Sequence, residues 1–190
     1  MRNIEYFDKQ RGLINLLLFI EKNGKANISG IRNKGKINFG IAYKCLKIMG
    51  DMGLLTVDEE GFNKLSRGYK AKHYHLTEKG KKVAAVFNEI ENGYDRSCKI
   101  EHFDNQTGLI KLVLFLFKNN KAYVTEIQKR GKINTAPECL YLLDNWGFIE
   151  TKQEYSAKSR RRLRTNHYSL TKNGMEVAKK LRVIENIVEN

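Results

Sequence analysis

The 190-residue chain carries 35 Lys and Arg against 21 Asp and Glu, a formal net charge of +14, and is 41% hydrophobic. That apolar fraction suffices for buried cores, but the longest apolar run, residues 112–117, is far too short to span a bilayer, and no basic-then-apolar leader opens the chain. The charge points to a polyanionic partner, nucleic acid first and an anionic membrane surface second, while three cysteines without paired spacing point to a reducing interior and not to a disulfide framework.

In chain order, residues 8–22 predict one helix. Its apolar residues Leu13, Ile14, Leu16, Leu17, Leu18, Phe19 and Ile20 are too many for a single buried face, so it must be covered on more than one side. A short extended piece follows, then a brief helix that Ser29 is placed to cap. A turn at Gly35 leads into a third helix ending at Gly53. On that helix Ala42, Cys45, Leu46 and Met49 share one face, which leaves Asn38, Phe39, Tyr43, Lys44 and Lys47 outward. LLTV at residues 54–57 predicts a strand. The loop NKLSRGYKAK, residues 63–72, then offers Lys64, Arg67, Lys70 and Lys72. A second strand runs through HYHLT, and Thr77 is a candidate N-cap for a final helix. Gly80 falls in its first turn, where the missing side chain lets the helix approach the strands. Val83, Phe87 and Ile90 form a coiled-coil-like seam along it.

The chain then writes the same string again. YFDKQRGLINLLLFIEKNGKA (6–26) returns as HFDNQTGLIKLVLFLFKNNKA (102–122), and NKGKIN (33–38) as KRGKIN (129–134). After a two-residue deletion, CLKIMGDMGLL (45–55) is answered by CLYLLDNWGFI (139–149), and HYHLTEKGKKVA (73–84) by HYSLTKNGMEVA (167–178). Nearly the whole chain is therefore a tandem duplication, with units at 1–92 and 102–190 and a linker at 93–101. In the second unit Thr125 is placed to cap the brief helix, and TAPE (135–138) fits a capping box with Pro137 in the first turn. Cys139, Leu140, Leu143 and Trp146 face the core of its third helix, while Thr135, Glu138 and Tyr141 face out. The second loop, SAKSRRRLR, carries Lys158, Arg160, Arg161, Arg162 and Arg164 without an acidic residue. Such a set repels itself unless a polyanion or solvent screens it. Val177, Leu181, Ile184 and Val188 repeat the terminal seam.

Helix, short strand, helix, turn, helix, strand, loop, strand, helix is the order of a winged helix-turn-helix. The LT-x-x-G phrases, the MGDMGL and DNWGFI helix endings and the basic loops resemble winged-helix transcription regulators of the MarR and PadR type, and small archaeal winged-helix DNA-binding proteins. The resemblance covers both units. It implies a mainly α, α+β fold: two tandem winged helix-turn-helix domains arranged as a pseudo-dimer. In that superfamily the third helix enters the major groove and the loop between the strands, the wing, lies along phosphate or the minor groove. Double-stranded DNA is therefore the expected partner, transcriptional regulation the expected role, and a nucleoid-associated cytoplasmic location the expected place. MarR-type regulators dimerise through their terminal and first helices, so those are the expected surfaces for any homodimer. The two apolar first helices are expected to pack on one another across the internal pseudo-two-fold axis.

The two third helices differ, because Glu138 stands where Lys44 stands and Tyr141 where Lys47 stands. Either the second helix reads an unlike half-site, with Glu138 accepting from a cytosine amino group, or its unit docks mainly through the arginine wing. The cost of a carboxylate near phosphate favours the second. Cys45 and Cys139 read as core thiols, and Cys98 as a linker thiol. His73 and His167 sit at the wing bases, within reach of phosphate, and lack the spacing of a metal site. No nucleophile–base pattern or carboxylate pair points to an enzyme, and no cofactor is expected. Two other classes share the fold: tandem winged-helix protein scaffolds resembling condensin accessory or endosomal sorting subunits, and replication initiators or architectural chromatin proteins. The cationic wings argue against the first. Every feature above is shared with the second.

Overall fold

Gly12 divides the helix expected over residues 8–22. In the computed structural model, which describes residues 3–60, 71–94, 100–155 and 164–190, α1 spans Ile4–Lys9 and α2 spans Leu13–Asn23. Gly12 between them has φ +87°, in the left-handed region that glycine enters without steric cost. A Cβ there would also stand 2.7 Å from Ile41 Cγ2. The rest of the first half follows as β1 (Ala26–Asn27), α3 (Ile28–Asn33), α4 (Phe39–Asp51), β2 (Leu55–Glu60), β3 (Ala71–Leu76) and α5 (Glu78–Asn92). The second half repeats the order with α6 (Ile100–Asn105), α7 (Leu109–Asn119), β4 (Lys121–Tyr123), α8 (Val124–Lys129), α9 (Ala136–Asn145), β5 (Ile149–Tyr155), β6 (Arg164–Leu170) and α10 (Lys172–Glu189). Gly108 divides α6 from α7 as Gly12 divides α1 from α2, with φ +94°.

The described residues thus form an α+β structure of ten helices and two antiparallel three-stranded sheets, ordered β1-β3-β2 and β4-β6-β5. Leu55 pairs with Leu76 and Ile149 with Leu170, so the two sheets share one register. No described helix is long and apolar enough to cross a membrane. The expected helix endings form: Gly53 and Gly147 are left-handed, and Leu54 N–H reaches Met49 O at 2.8 Å, as Phe148 N–H reaches Leu143 O at 2.8 Å. Thr77 and Thr171 cap α5 and α10, accepting from Gly80 and Gly174 N–H. Those glycines sit where a Cβ would come within 2.1 and 2.0 Å of Leu54 O and Phe148 O, which seats each terminal helix directly on the chain entering its sheet.

Three expected caps are corrected. Ser29 lies inside α3, whose cap is Asn27, accepting from Gly30 N–H at 2.7 Å. Thr125 lies inside α8, where Glu126 reaches back to Tyr123 N–H instead. Thr135 stands at the N-cap of α9, but its hydroxyl donates to Thr107 O at 2.6 Å and makes no cap bond. Each loses to a residue that already lies in the extended backbone before the helix, or to a nearer carbonyl.

The over-apolar helices are covered crosswise, which corrects the expectation that they pack on one another. Besides its own α5, α2 is covered by α6 of the other half, and α7 is covered by α1 as well as its own α10. The seam residues of α5 and α10 are buried, and those two helices pack together. Asn3 Nδ2 donates to Val188 O at 2.7 Å and pins the start of α1 to the end of α10.

At the centre of this exchange lie two buried carboxylates. Asp104 of α6 accepts from Gly12 N–H (2.9 Å) and Ile14 N–H (2.8 Å), buried amides at the start of α2 that have no partner within the helix. Asp8 of α1 accepts from Ile110 N–H (2.9 Å) at the start of α7. Helix starts carry unpaired donors and a partial positive charge, and here neither Gly12 nor Gly108 has a side chain to supply an acceptor. Each half caps the helix of the other.

Burial pushes both carboxyls up from 3.8 to about 6, against the opposing pull of the amides they accept from. Asp104→Ala is expected to cost about 2 kcal/mol, because it strands buried donors. A raised acid pKa means proton uptake on folding between the unfolded value near 4 and the folded value near 6. Wild-type stability should therefore fall, relative to an Asp8→Asn/Asp104→Asn variant, as pH rises through that window, and the difference should level off above it. Urea unfolding of both proteins on either side of the window checks the sign.

Candidate nucleic-acid interface

The α3–α4 turn and the outer face of α4 gather the exposed cations and aromatics of the first half. Asn38 caps α4, its Oδ1 accepting from Gly40 N–H at 2.9 Å, so this expected site residue is engaged in holding the helix start. Ala42, Cys45, Leu46 and Met49 are buried, as the 3.6-residue period requires. That turns Phe39, Tyr43, Lys44 and Lys47 to solvent, with Phe39 38% and Tyr43 57% exposed. Phe39 and Tyr43 stack at 6.4 Å between centroids with 20° between ring planes, and the Arg32 guanidinium lies 5.0 Å above the Phe39 ring. Tyr74 lies close enough to Tyr43 that, after its own burial, that neighbour adds to the raised pKa of its phenol.

In the second half Glu138 and Tyr141 are exposed on α9, Tyr141 by 68%, as the sequence pattern required. Thr135 is half-buried and committed to Thr107 O. The structure separates it from the outward set. Asp144 is also exposed, so α9 presents a carboxylate and phenol face where α4 presents ammonium groups.

Of the expected wing cations, Lys64, Arg67, Lys70, Lys158, Arg160, Arg161 and Arg162 lie outside the described residues, as does Cys98. Lys72, expected in the first loop, belongs to strand β3. It stands opposite Glu59, with Nζ 3.8 Å from the carboxylate. Arg164 opens β6, paired with Tyr155. The base of the second strand pair is locally neutralised: Glu154 accepts from Lys121 Nζ (3.2 Å) and the Tyr123 hydroxyl (3.1 Å), and these bonds hold its carboxyl below the usual range. His167 is buried at 4% exposure, its Nδ1 3.6 Å from Glu154, which withdraws it from phosphate reach. His73 pairs with Asp58 across β2–β3 and is half-buried. Cys45 and Cys139 are free and buried, as expected of core thiols.

The sequence reading missed the turn between the second and third helices. Arg32 in the last turn of α3 and Lys34 and Lys36 beyond it are exposed, as are Lys129 at the end of α8 and Arg130 and Lys132 beyond it. The signal was the tetrapeptide GKIN, identical at residues 35–38 and 131–134. Its isoleucines, Ile37 and Ile133, are buried anchors, and its lysines hold φ +53° in both copies. A lysine in the left-handed region is strained relative to glycine. The same backbone conformation at both places sets an exposed lysine on each turn before the exposed helix face. The arrangement presents cations near an aromatic pair on α4, and cations beside an acidic and phenolic face on α9.

No family model matches the chain, and no curated protein or solved structure matches it either.

If the backbone strain is retained for the sake of the side chain, Lys36→Gly and Lys132→Gly should fold at least as stably as wild type. The expected gain is up to about 1 kcal/mol each, from release of the left-handed strain against the extra chain entropy glycine brings. Thermal melting of the two single variants gives the sign directly; a clear loss of stability would show the lysines to be structural.

Proposed function

We propose that the chain binds duplex DNA as two winged helix-turn-helix units fused into a pseudo-dimer, with α4 and α9 as recognition helices, and that it acts as a transcriptional regulator in the nucleoid. The observation that carries this reading is the outer face of α4. A helix whose opposite face is fully buried presents Tyr43, Lys44 and Lys47 to solvent, beside the exposed cations of the preceding turn. Lysines and tyrosines of that kind suit phosphate oxygens and base edges. The net charge of +14 supports the same partner.

In this reading, turn cations and wing arginines neutralise phosphates and fix the register, while side chains from α4 discriminate between bases. The α9 face, with Glu138 and Asp144 beside Tyr141, is poorly suited to phosphate. The second unit therefore holds on mainly through Lys129, Arg130, Lys132 and the arginine loop. The preferred site is then an imperfect palindrome, read more strictly at one half, with half-sites about one helical turn apart.

Replacing Arg160, Arg161 and Arg162 by Ala should weaken binding to all duplexes about equally. It should also flatten the dependence of log K on log salt by roughly 0.9 per phosphate contact removed. Lys36→Gly should flatten it too, while leaving the fold intact. Footprinting the wild-type protein on sites selected from random duplex DNA should show two protected patches. A single patch would sink the two-helix arrangement, and an unchanged salt slope would remove the arginine loop from the interface.

A further inference from the structure

The first half carries an aromatic device that the second lacks. The two-residue deletion falls at the start of the third helix, and Thr135, at the place of Ile41, is only a cap, so α4 spans 13 residues and α9 only 10. The additional turn of α4 is built rather than frayed: Asn38 caps it, and Phe39 within it stacks on Tyr43 beneath the Arg32 guanidinium. In the register of the second half, Pro137 stands at the place of Tyr43, and nothing stands at the place of Phe39. Among the described residues five large hydrophobic side chains are exposed: Phe39, Tyr43, Val57, Tyr141 and Val183. The first two are the only pair among them in ring contact with one another.

An exposed stacked pair requires an occupant that is apolar at its centre and anionic around it. Arg32 of α3, Lys34 and Lys36 of the turn, and Lys44 and Lys47 of α4 are all exposed, so the rim of any partner seated there must carry negative charge. The major groove supplies both parts. Phosphates line its edges, and the thymine C5-methyl is the one apolar group that base edges present there.

We propose that Phe39 and Tyr43 form a thymine-methyl contact that makes recognition of one half-site depend on thymine. The inference rests on the DNA-binding reading above. Arg32 acts as a positioning residue: held over the Phe39 ring, it fixes the aromatic face and keeps its own charge at the groove edge. The second unit, without the additional turn, makes no equivalent contact, and the methyl dependence is confined to the half-site that α4 occupies.

The test uses duplexes enriched from a random pool by the full-length protein, re-amplified with dTTP or with dUTP so that the two sets differ only in the C5-methyl groups. Wild type should bind the thymine set at least about fourfold more tightly, the affinity equivalent of one buried methyl-sized group. Phe39→Ala should reduce that ratio to about one, whereas Tyr141→Ala should retain the ratio. Equal wild-type affinity for the two sets overturns the methyl contact and leaves DNA binding standing. Failure of the wild type to enrich or bind any duplex overturns both. A ratio that survives Phe39→Ala, in a variant whose melting temperature matches wild type, removes the aromatic pair from recognition.

Discussion

The amides that start α2 and α7 find their acceptors in the opposite half of the chain, and most of the architecture follows from that exchange. Gly12 and Gly108 must be glycine because of their left-handed backbone and the close approach of the third helix. Glycine brings no cap. The deficit is met by Asp104 and Asp8, which can reach only if α6 lies on α2 and α1 lies on α7. That crosswise placement in turn covers the additional apolar faces of the two most hydrophobic helices, whose buried side chains supply much of the driving force for association of the halves.

The same turns also hold the proposed reading helices. Arg11 O accepts from the Cys45 thiol at 3.7 Å, and Thr107 O accepts from the Cys139 thiol at 3.6 Å and the Thr135 hydroxyl at 2.6 Å. Burial raises Cys45 to about 12 and pushes Cys139 up as well, so both stay protonated donors and not nucleophiles. A short mechanical chain therefore runs from a carboxylate in one half, through a glycine turn, to the third helix of the other. α4 and α9 pack on elements of their own halves, and this mechanical chain ties each of them to the seam between the halves.

Much of the element order was legible because duplication supplied two independent readings of one pattern. The third-helix faces, the Thr77 and Thr171 caps and the close approach at Gly80 and Gly174 all depend on local spacing, and spacing survives in sequence. What escaped was non-local. Asp8 and Asp104 read as the polar start of a helix, since nothing in their neighbourhood announces that the groups they bind lie 90 to 102 residues away. Ser29 and Thr125 failed as caps for a different reason. The strands β1 and β4 end one residue before the helices begin, leaving the cap position to Asn27 and Tyr123. The turn cations were present in the repeated GKIN, but their importance rests on a backbone angle that residue type did not announce, since lysine is not a residue that favours it.

The exchange of caps also constrains how the molecule is made. Synthesis delivers the first half before the second, so α2 emerges with its leading amides unanswered and one apolar flank bare until residues 100–105 arrive. Contacts of such sequence separation close late, after the entropy of a long loop has been spent. Until then the first half carries a greasy helix whose matching short helix, with its aspartate, has yet to be made. A neighbouring nascent chain offers such a helix too, in its own α1, so the hazard is exchange between chains. The brevity of the connection from α5 to α6 is the safeguard: it keeps the correct partner at a far higher local concentration than any neighbour can reach.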